Sequence, residues 1–416
     1  MKDWIKLDNA ATIYPAIVDR KYATLFRLTI TLTENIDKKI LQESLNNVLK
    51  RFPTFLYTLR QGFFWCYLEK IKHEAKIEED SQNPMIRHDF DKDYLFRIRV
   101  YKNRIAIEYF HALTDGTGGI TFLLTLTQEY LHKKYNIKKK YTNLILNIND
   151  EPSEDECNDA FLKYANTSGS LEHEKKAWHL KGTTINPKYI NIVTGIMNID
   201  EVKTIAKKYN ATITEFIASV MLLNLQKLAK NTKNEIKVSI PINLRNIYET
   251  KTLRNFSSYI NVGIKNKNYK LEEIVKKVKK QIKELTEEKR INAKISGNVK
   301  LMENFFIRRI PMFIKKHVMS LVEARMGDGY ITTNLSNLGL IDIPNNMKEY
   351  ITDMNFILGK SRGKSTSTGM IGYDNKLYIS FSRTIKESEY ERLFFTTLSS
   401  MGIDILIESN RWYNVL

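Results

Sequence analysis

The chain has 416 residues, 43% of them hydrophobic and 27% charged, a composition that excludes a disordered or fibrous protein. Lys and Arg outnumber Asp and Glu by 65 to 47, for a formal net charge of +18. That excess is spread along Lys-rich helix faces without a zinc finger, an RNA-recognition signature or aromatic-basic interleaving, so nucleic acid is not an expected partner. The opening Met1 to Lys6 has no apolar core of signal-peptide length, and no apolar run is long enough to span a bilayer. A cytoplasmic location is therefore the expectation.

Residues Leu7-Asp8-Asn9-Ala10-Ala11 lead into a half-buried strand in which Phe26, Leu28, Ile30 and Leu32 alternate with polar residues. Asp37 is placed to cap a helix with Ile40, Leu41, Leu45, Val48 and Leu49 on one stripe, and Pro53 ends it. Strands over 55–59 and 63–68 form a hairpin about Gln61-Gly62. A second hairpin runs through Phe96, Ile98 and Val100, turns at Lys102-Asn103, and returns from Ile105 to His111. Period-two alternation puts Ile105, Ile107, Tyr109 and His111 on one face and Ala106, Glu108 and Phe110 on the other. The histidine is thus aimed from a strand end into Ala112-Leu113-Thr114-Asp115-Gly116-Thr117-Gly118-Gly119, after which an apolar helix begins at Ile120.

Residues 147–170 are acidic and polar, contain Pro152, Ser153 and Gly169, and lack apolar periodicity, which makes them the expected linker. Length favours two domains, and the division is placed at 1–165 and 166–416. The second unit opens with a strand near 190–199 and a helix over 200–209. Thr212 and Glu215 have capping-box spacing ahead of a long apolar helix. Val238 to Arg245 reads as a strand ending in a turn with one arginine. Leu271, Ile274, Val275, Val278, Ile282 and Leu285 form a stripe opposite a lysine face, the pattern of a core-packed helix with a solvated back. The basic, apolar segment 305–326, interrupted by Pro311, reads either as a channel wall or as a lipid-touching surface. Thr332 to Gly339 reads as a strand, with Asn337-Leu338-Gly339 as its end or a turn. Strands over 356–358 and 370–373 flank a basic loop from Gly359 to Thr366, which reads as a solvated hairpin tip or a contact for phosphates.

Several motifs fail on spacing. Three residues, not four, separate Gly359 from Gly363, and a strand follows, so the loop is not a phosphate-binding loop. His179 lies six residues after His173, which points the pair apart on a helix and excludes the metalloprotease arrangement. No nucleophile elbow or dinucleotide-binding glycine fingerprint occurs, and no metal site is expected. His73, His88, His132, His173, His179 and His317 sit in polar or basic surroundings expected of surface histidines. Cys66 and Cys157 lack a setting that would activate a thiolate.

The His111-x-x-x-Asp115-Gly116 pattern at a strand end resembles the motif of the chloramphenicol acetyltransferase-like acyltransferase superfamily. The Leu7-Asp8-Asn9-Ala10 opening, the Arg51-Phe52-Pro53 helix end, Phe63-Phe64-Trp65, Pro241 to Arg245 and Ser336 to Gly339 resemble its alcohol acetyltransferase branch in order. Many members carry two adjacent histidines, and the first is Phe110 here. The resemblance implies an α/β (α+β) fold of two similar subdomains, each a mixed sheet with flanking helices, facing across a substrate tunnel. It also implies transfer of an acetyl or short-chain acyl group from coenzyme A to a small alcohol, with acyl-CoA as co-substrate and no bound cofactor. His111 would be the general base without a covalent intermediate. Arg245 would pair with Asp115 and, with Gly116, support the loop. Ser336, Asn337 and Asn243 are candidates for oxyanion or substrate contacts. Two alternatives stay open: condensation-type ester or amide synthesis from an acyl carrier protein, and a catalytically silent acyl- or lipid-binding module.

Overall fold

The computed structural model describes residues 3–17, 24–81, 84–85, 92–166, 174–186, 188–230, 232–322, 328–360 and 363–410. The strands in chain order are β1 (Trp4–Lys6), β2 (Leu25–Leu32), β3 (Tyr57–Gln61), β4 (Cys66–Lys70), β5 (Ile77–Glu79), β6 (Phe96–Tyr101) and β7 (Arg104–Phe110). After the middle of the chain come β8 (Asn191–Asn198), β9 (Ile236–Asn243), β10 (Ser257–Ile264), β11 (Thr333–Leu340), β12 (Ile351–Leu358), β13 (Thr366–Tyr373), β14 (Lys376–Arg383) and β15 (Ile405–Ser409).

They form an open five-stranded sheet in the order β12-β2-β7-β6-β5, an open seven-stranded sheet in the order β10-β9-β11-β13-β14-β8-β15, and a small sheet β1-β4-β3. Both large sheets are mixed, because β5–β6, β9–β11 and β11–β13 run parallel while their other neighbours are antiparallel. Each large sheet carries its own core. One core buries Leu41, Leu45 and Val48 of the helix Lys38–Arg51 and Phe122, Leu123 and Leu126 of the helix Gly116–Tyr135 against Leu28, Ile30, Ile105 and Ile107. The other packs the helices Ile213–Leu228, Leu271–Leu285 and Glu389–Ser399 on the seven-stranded sheet.

Local chemistry starts these helices where the sequence places them. Asp37 accepts hydrogen bonds from Lys39 and Ile40, and Thr212 with Glu215 forms the reciprocal capping box; such caps contribute about 1 kcal/mol each. The Leu271–Leu285 helix buries Leu271, Ile274, Val275 and Val278 and exposes its lysines. Asn337 to Gly339 is not a turn but the irregular end of β11, where the register slips between Asn337 and Leu340. Gly339 there takes a φ of +78°, which glycine adopts without a Cβ penalty.

The expected linker is packed rather than solvated. Short helices run Glu154–Cys157 and Ala160–Tyr164, and buried Glu156 pairs with Arg51, the Nη2–Oε1 bond being 2.8 Å. Asp155 accepts from Thr250 and Lys251. Acidity there answers the Arg51 guanidinium and the Thr250 hydroxyl and Lys251 backbone N–H, brought in from both sides, while residues 167–170 lie outside the described residues.

The largest departure from chain order is β12, which comes from the C-terminal part of the chain yet pairs antiparallel with β2 along its length. It also meets the other sheet: Tyr378 donates to Asp353 at 2.8 Å, Ser380 donates to Asn355 at 2.6 Å, and Tyr373 donates to the Ile351 carbonyl at 3.1 Å. The units 1–165 and 166–416 that we propose from the sequence would therefore share the five-stranded sheet.

Candidate active site

His111 follows β7 directly, and its backbone N–H donates to the Thr24 carbonyl at the start of β2. Phe110 before it is fully buried in the core of the five-stranded sheet. The imidazole stacks on Tyr14 at 4.6 Å between centroids and meets the edge of Phe26 at 5.3 Å.

Nδ1 of His111 lies 3.0 Å from Oδ1 of Asn255, a residue 144 positions away in the chain. The Asn255 amide nitrogen donates to Oδ2 of Asp8 at 3.2 Å. With the amide nitrogen turned to a carboxyl group, the amide oxygen is the atom facing the imidazole, and an amide oxygen only accepts. In neutral His111 the proton therefore belongs on Nδ1, and the lone pair is on Nε2; this tautomer follows from the network. Burial pushes the imidazole below its ordinary 6.5, opposed by a hydrogen bond to its own backbone, the Asp115 charge and Asn255.

Asp8 is fully buried, accepts from the Ala11 N–H at 2.7 Å, and has the Arg254 guanidinium 3.5 Å away. Burial pushes its carboxyl from 3.8 up to about 6, with Asp159 adding in the same direction and Arg254 opposing. Sequence reasoning missed Asp8, Asn255 and Tyr14 as parts of the site. The only signal is the Leu-Asp-Asn-Ala opening, which carries a resemblance without a role.

Asp115 is saturated. Its Oδ1 caps the helix Gly116–Tyr135 by accepting from Thr117 and Gly118, each at 3.1 Å. Its Oδ2 takes Nη1 of Arg245 and the Phe256 N–H, both at 2.8 Å. Arg245 in turn donates to the carbonyls of Thr252 at 3.0 Å and Arg254 at 2.7 Å. Thr114 donates to the Leu253 carbonyl at 2.6 Å. The motif loop and Arg245 thus clamp residues 252–256 from several sides, and that segment carries Asn255.

Asn243 belongs to the same cluster: its side-chain oxygen accepts from the Arg245 N–H and guanidinium, and its amide donates to Thr117 at 3.2 Å. Gly116 abuts Leu338, whose Cδ2 would lie 2.5 Å from an added Cβ, so the end of β11 reaches the motif. Asn337 of that strand donates to Thr214 at 2.9 Å and accepts from the Gly339 N–H at 2.7 Å. Both ends of its amide are engaged in holding the strand's irregular end. Among the described residues neither Ser336 nor Asn337 hydrogen-bonds His111.

A cleft of about 1910 Å³ runs between the small sheet, the end of β10 and the helices over 271–322. Asn9, Thr12, Ile13, Asp159 and Arg254 form the wall nearest the site, although His111 itself does not line it. His73, His132 and His317 place Nδ1 on backbone carbonyls, whereas His88 and His173 lie outside the described residues, as do Ser361 and Arg362 of the basic loop. Cys66 and Cys157 form no disulfide among the described residues, and burial pushes the Cys157 thiol up. Among the described residues no cluster of His, Cys, Asp and Glu could hold a metal ion, and no helix is long and apolar enough to cross a membrane.

The same fold occurs in solved structures that include an O-acetyltransferase and a condensation domain. Trichothecene 15-O-acetyltransferase TRI3 from Fusarium sporotrichioides is 11% identical with a TM-score of 0.62, over 95% of this chain and 93% of that one. F. sporotrichioides TRI101, solved with coenzyme A and T-2, is 8% identical with a TM-score of 0.66, over 98% and 100%. The starter condensation domain of rhizomide synthetase RzmA, solved as a mutant with C8-CoA, is 10% identical with a TM-score of 0.62, over 97% and 98%. No curated protein sequence matches the chain. Two open mixed sheets joined around a histidine motif define a chloramphenicol acetyltransferase-like acyltransferase fold. A family model described as alcohol acetyltransferase matches residues 160–365 of the chain.

Proposed function

We propose that the protein transfers an acyl group from a coenzyme A thioester to an alcohol, with His111 as the general base. The observation that carries this reading is the Asp8–Asn255–His111 chain, which leaves Nε2 as a neutral acceptor. The alcohol oxygen attacks the thioester carbonyl while its proton passes to Nε2. The tetrahedral intermediate then collapses, the C–S bond breaks, and the leaving sulfur takes the proton back from the imidazolium, giving an ester and free coenzyme A. No covalent enzyme intermediate is needed, because the thioester is already activated. General-base assistance of this kind contributes ~10²–10⁴-fold.

Asn255 acts as a positioning residue, since it fixes the tautomer and ring plane of His111 without touching substrate. Asp115 and Arg245 hold the segment that presents Asn255, which makes both structural. Coenzyme A as donor is supported by the coenzyme A and C8-CoA complexes of the TRI101 and RzmA structures. Ser336 remains our candidate for an oxyanion contact. Asn243 serves the motif cluster and Asn337 the end of β11.

The test measures free-thiol release from acetyl-CoA and from longer acyl-CoA donors, with a panel of alcohols and amines, for wild type, His111→Ala and Asn255→Leu. Turnover that collapses in His111→Ala and drops about 10- to 100-fold in Asn255→Leu is the expected result. Equal rates in wild type and His111→Ala would remove the histidine from the mechanism. An amine preferred over every alcohol would change the acceptor class.

A further inference from the structure

Single apolar side chains on a surface are ordinary, but a contiguous group of large ones marks an interaction site. One such group stands at the mouth of the cleft. Phe63 and Trp65 sit at the tip of the β3–β4 hairpin, Phe305 and Phe306 in the helix Phe305–Arg309, and Phe313 and Val318 in the helix Met312–Val322. All are exposed, Phe306 by 78% and Phe63 by 67%. These pieces form one surface: the Met312 N–H donates to the Phe63 carbonyl at 2.7 Å, and the Lys315 ammonium donates to the carbonyls of Phe64 at 2.7 Å and Arg308 at 3.1 Å.

The same stretch is cationic. Residues 300–322 contain Lys300, Arg308, Arg309, Lys315 and Lys316 against Glu303 alone, and Glu303 pairs with Arg308 at 2.9 Å. The Arg309 guanidinium lies 3.7 Å over the Phe305 ring. Aromatic rings beside Arg and Lys are the side chains that anchor peripheral proteins at the bilayer interface, where the ring enters the acyl boundary and the cation meets an anionic headgroup.

We propose that this face, formed by the hairpin tip and the two helices over 305–322, docks on an anionic lipid bilayer. The rings protrude on short elements, and fluid lipid closes around protruding rings, whereas a protein partner would need a matched pocket for each. Charge complementarity chooses an anionic bilayer over a neutral one. Phe64, Trp65, Leu301, Met312 and Val318 also line the cleft, so its mouth opens within the docking face. An apolar alcohol can pass from the bilayer into the cleft without crossing water. This last consequence rests on the acyl-transfer reading, whereas the docking does not.

The test is cosedimentation of the full chain with vesicles of phosphatidylcholine alone and of equal parts phosphatidylcholine and phosphatidylglycerol. Trp65 is followed by quenching from brominated acyl chains, with Trp65→Phe as the control. Expected are salt-sensitive binding to the phosphatidylglycerol vesicles, quenching that Trp65→Phe removes, and at least ~tenfold weaker partition for a Phe306→Ser, Phe313→Ser double variant. Both rings are exposed, so an unchanged thermal melt checks that the variant is folded. Wild type staying in the supernatant with both vesicles overturns the proposal, as does undiminished binding by the folded double variant. Neither result depends on turnover, so failure of docking and failure of acyl transfer are distinguishable.

Discussion

Replacing Asp8 with asparagine should change how the stability of this protein depends on pH, whatever the substrate. The wild-type carboxyl is fully buried and titrates at about 6, against 3.8 in the unfolded chain. That is a shift of about 2 units, each worth about 1.4 kcal/mol, or about 3 kcal/mol in all. Because the folded value is the higher one, the folded state binds the extra proton between 3.8 and about 6. The contribution is fully present below 3.8 and lost as pH rises through about 6. About 2 kcal/mol of it is still held at about pH 4.5, and nearly none at about pH 7. The Asp8→Asn variant lacks the titration, so the difference in stability between wild type and variant should change by about 2 kcal/mol between those two conditions.

The substitution carries a separate cost that does not depend on pH. Both carboxyl oxygens accept from N–H donors, Ala11 on Oδ1 and Asn255 on Oδ2, and an asparagine turns its own donor toward one of them. Arg254 also loses its counter-charge. These offsets make a single stability value uninformative and the pH slope diagnostic. Urea unfolding of both proteins at about pH 4.5 and about pH 7 measures it. Parallel pH dependence in the two proteins would refute the claim that burial holds the Asp8 proton.

Arg245→Ala should cost ~3–5 kcal/mol in urea unfolding, because it leaves the largely buried Asp115 carboxylate without its cation. Arg245→Lys should recover only part, since one ammonium cannot reach Asp115 and the carbonyls of Thr252 and Arg254 together; a stable Arg245→Ala would count against the clamp. Gly118→Ala would place a Cβ 2.1 Å from Oγ1 of Thr114 and 2.3 Å from the Leu253 carbonyl oxygen. The backbone must move, so a loss of ~1–3 kcal/mol and a lower thermal midpoint are expected. The kcat/KM profile should be level near neutrality and fall on its acid limb as His111 protonates, with a midpoint below 6.5 because burial disfavours the imidazolium. A midpoint above 6.5 would mean that a different group or a more solvated imidazole controls the rate.

Much of the local structure follows from short-range patterns. Alternation in 105–111 sends Phe110 into the core and brings His111 to the end of β7, and Asp37 and Thr212 start helices for the reason any acceptor at an N-cap does. The stripe Leu271, Ile274, Val275 and Val278 identifies a buried helix face from period alone. The resemblance pairs Arg245 with Asp115, and their ion pair is 2.8 Å long.

Other features depend on which distant segments meet. Residues 147–170 read as a linker because they are acidic and polar and lack apolar periodicity, but Glu156 is buried there because Arg51, at a helix end far upstream, neutralises it. Nothing in the pattern of 351–358 assigns that strand to the N-terminal sheet, since a strand's periodicity specifies its faces and not its neighbour. Asn255 and Asp8 look like ordinary polar residues of a loop and an opening segment. They become part of the site only where Arg245 and Asp115 fold residues 252–256 against the histidine. Short-range pattern thus accounts for the helix starts at Asp37 and Thr212, the alternation that leads to His111 and the resemblance of the motif, while the motif helix starts at Gly116, four residues before the expected Ile120. The tertiary structure decided which nitrogen of that histidine carries the proton, because the bond that fixes it joins residues 144 positions apart.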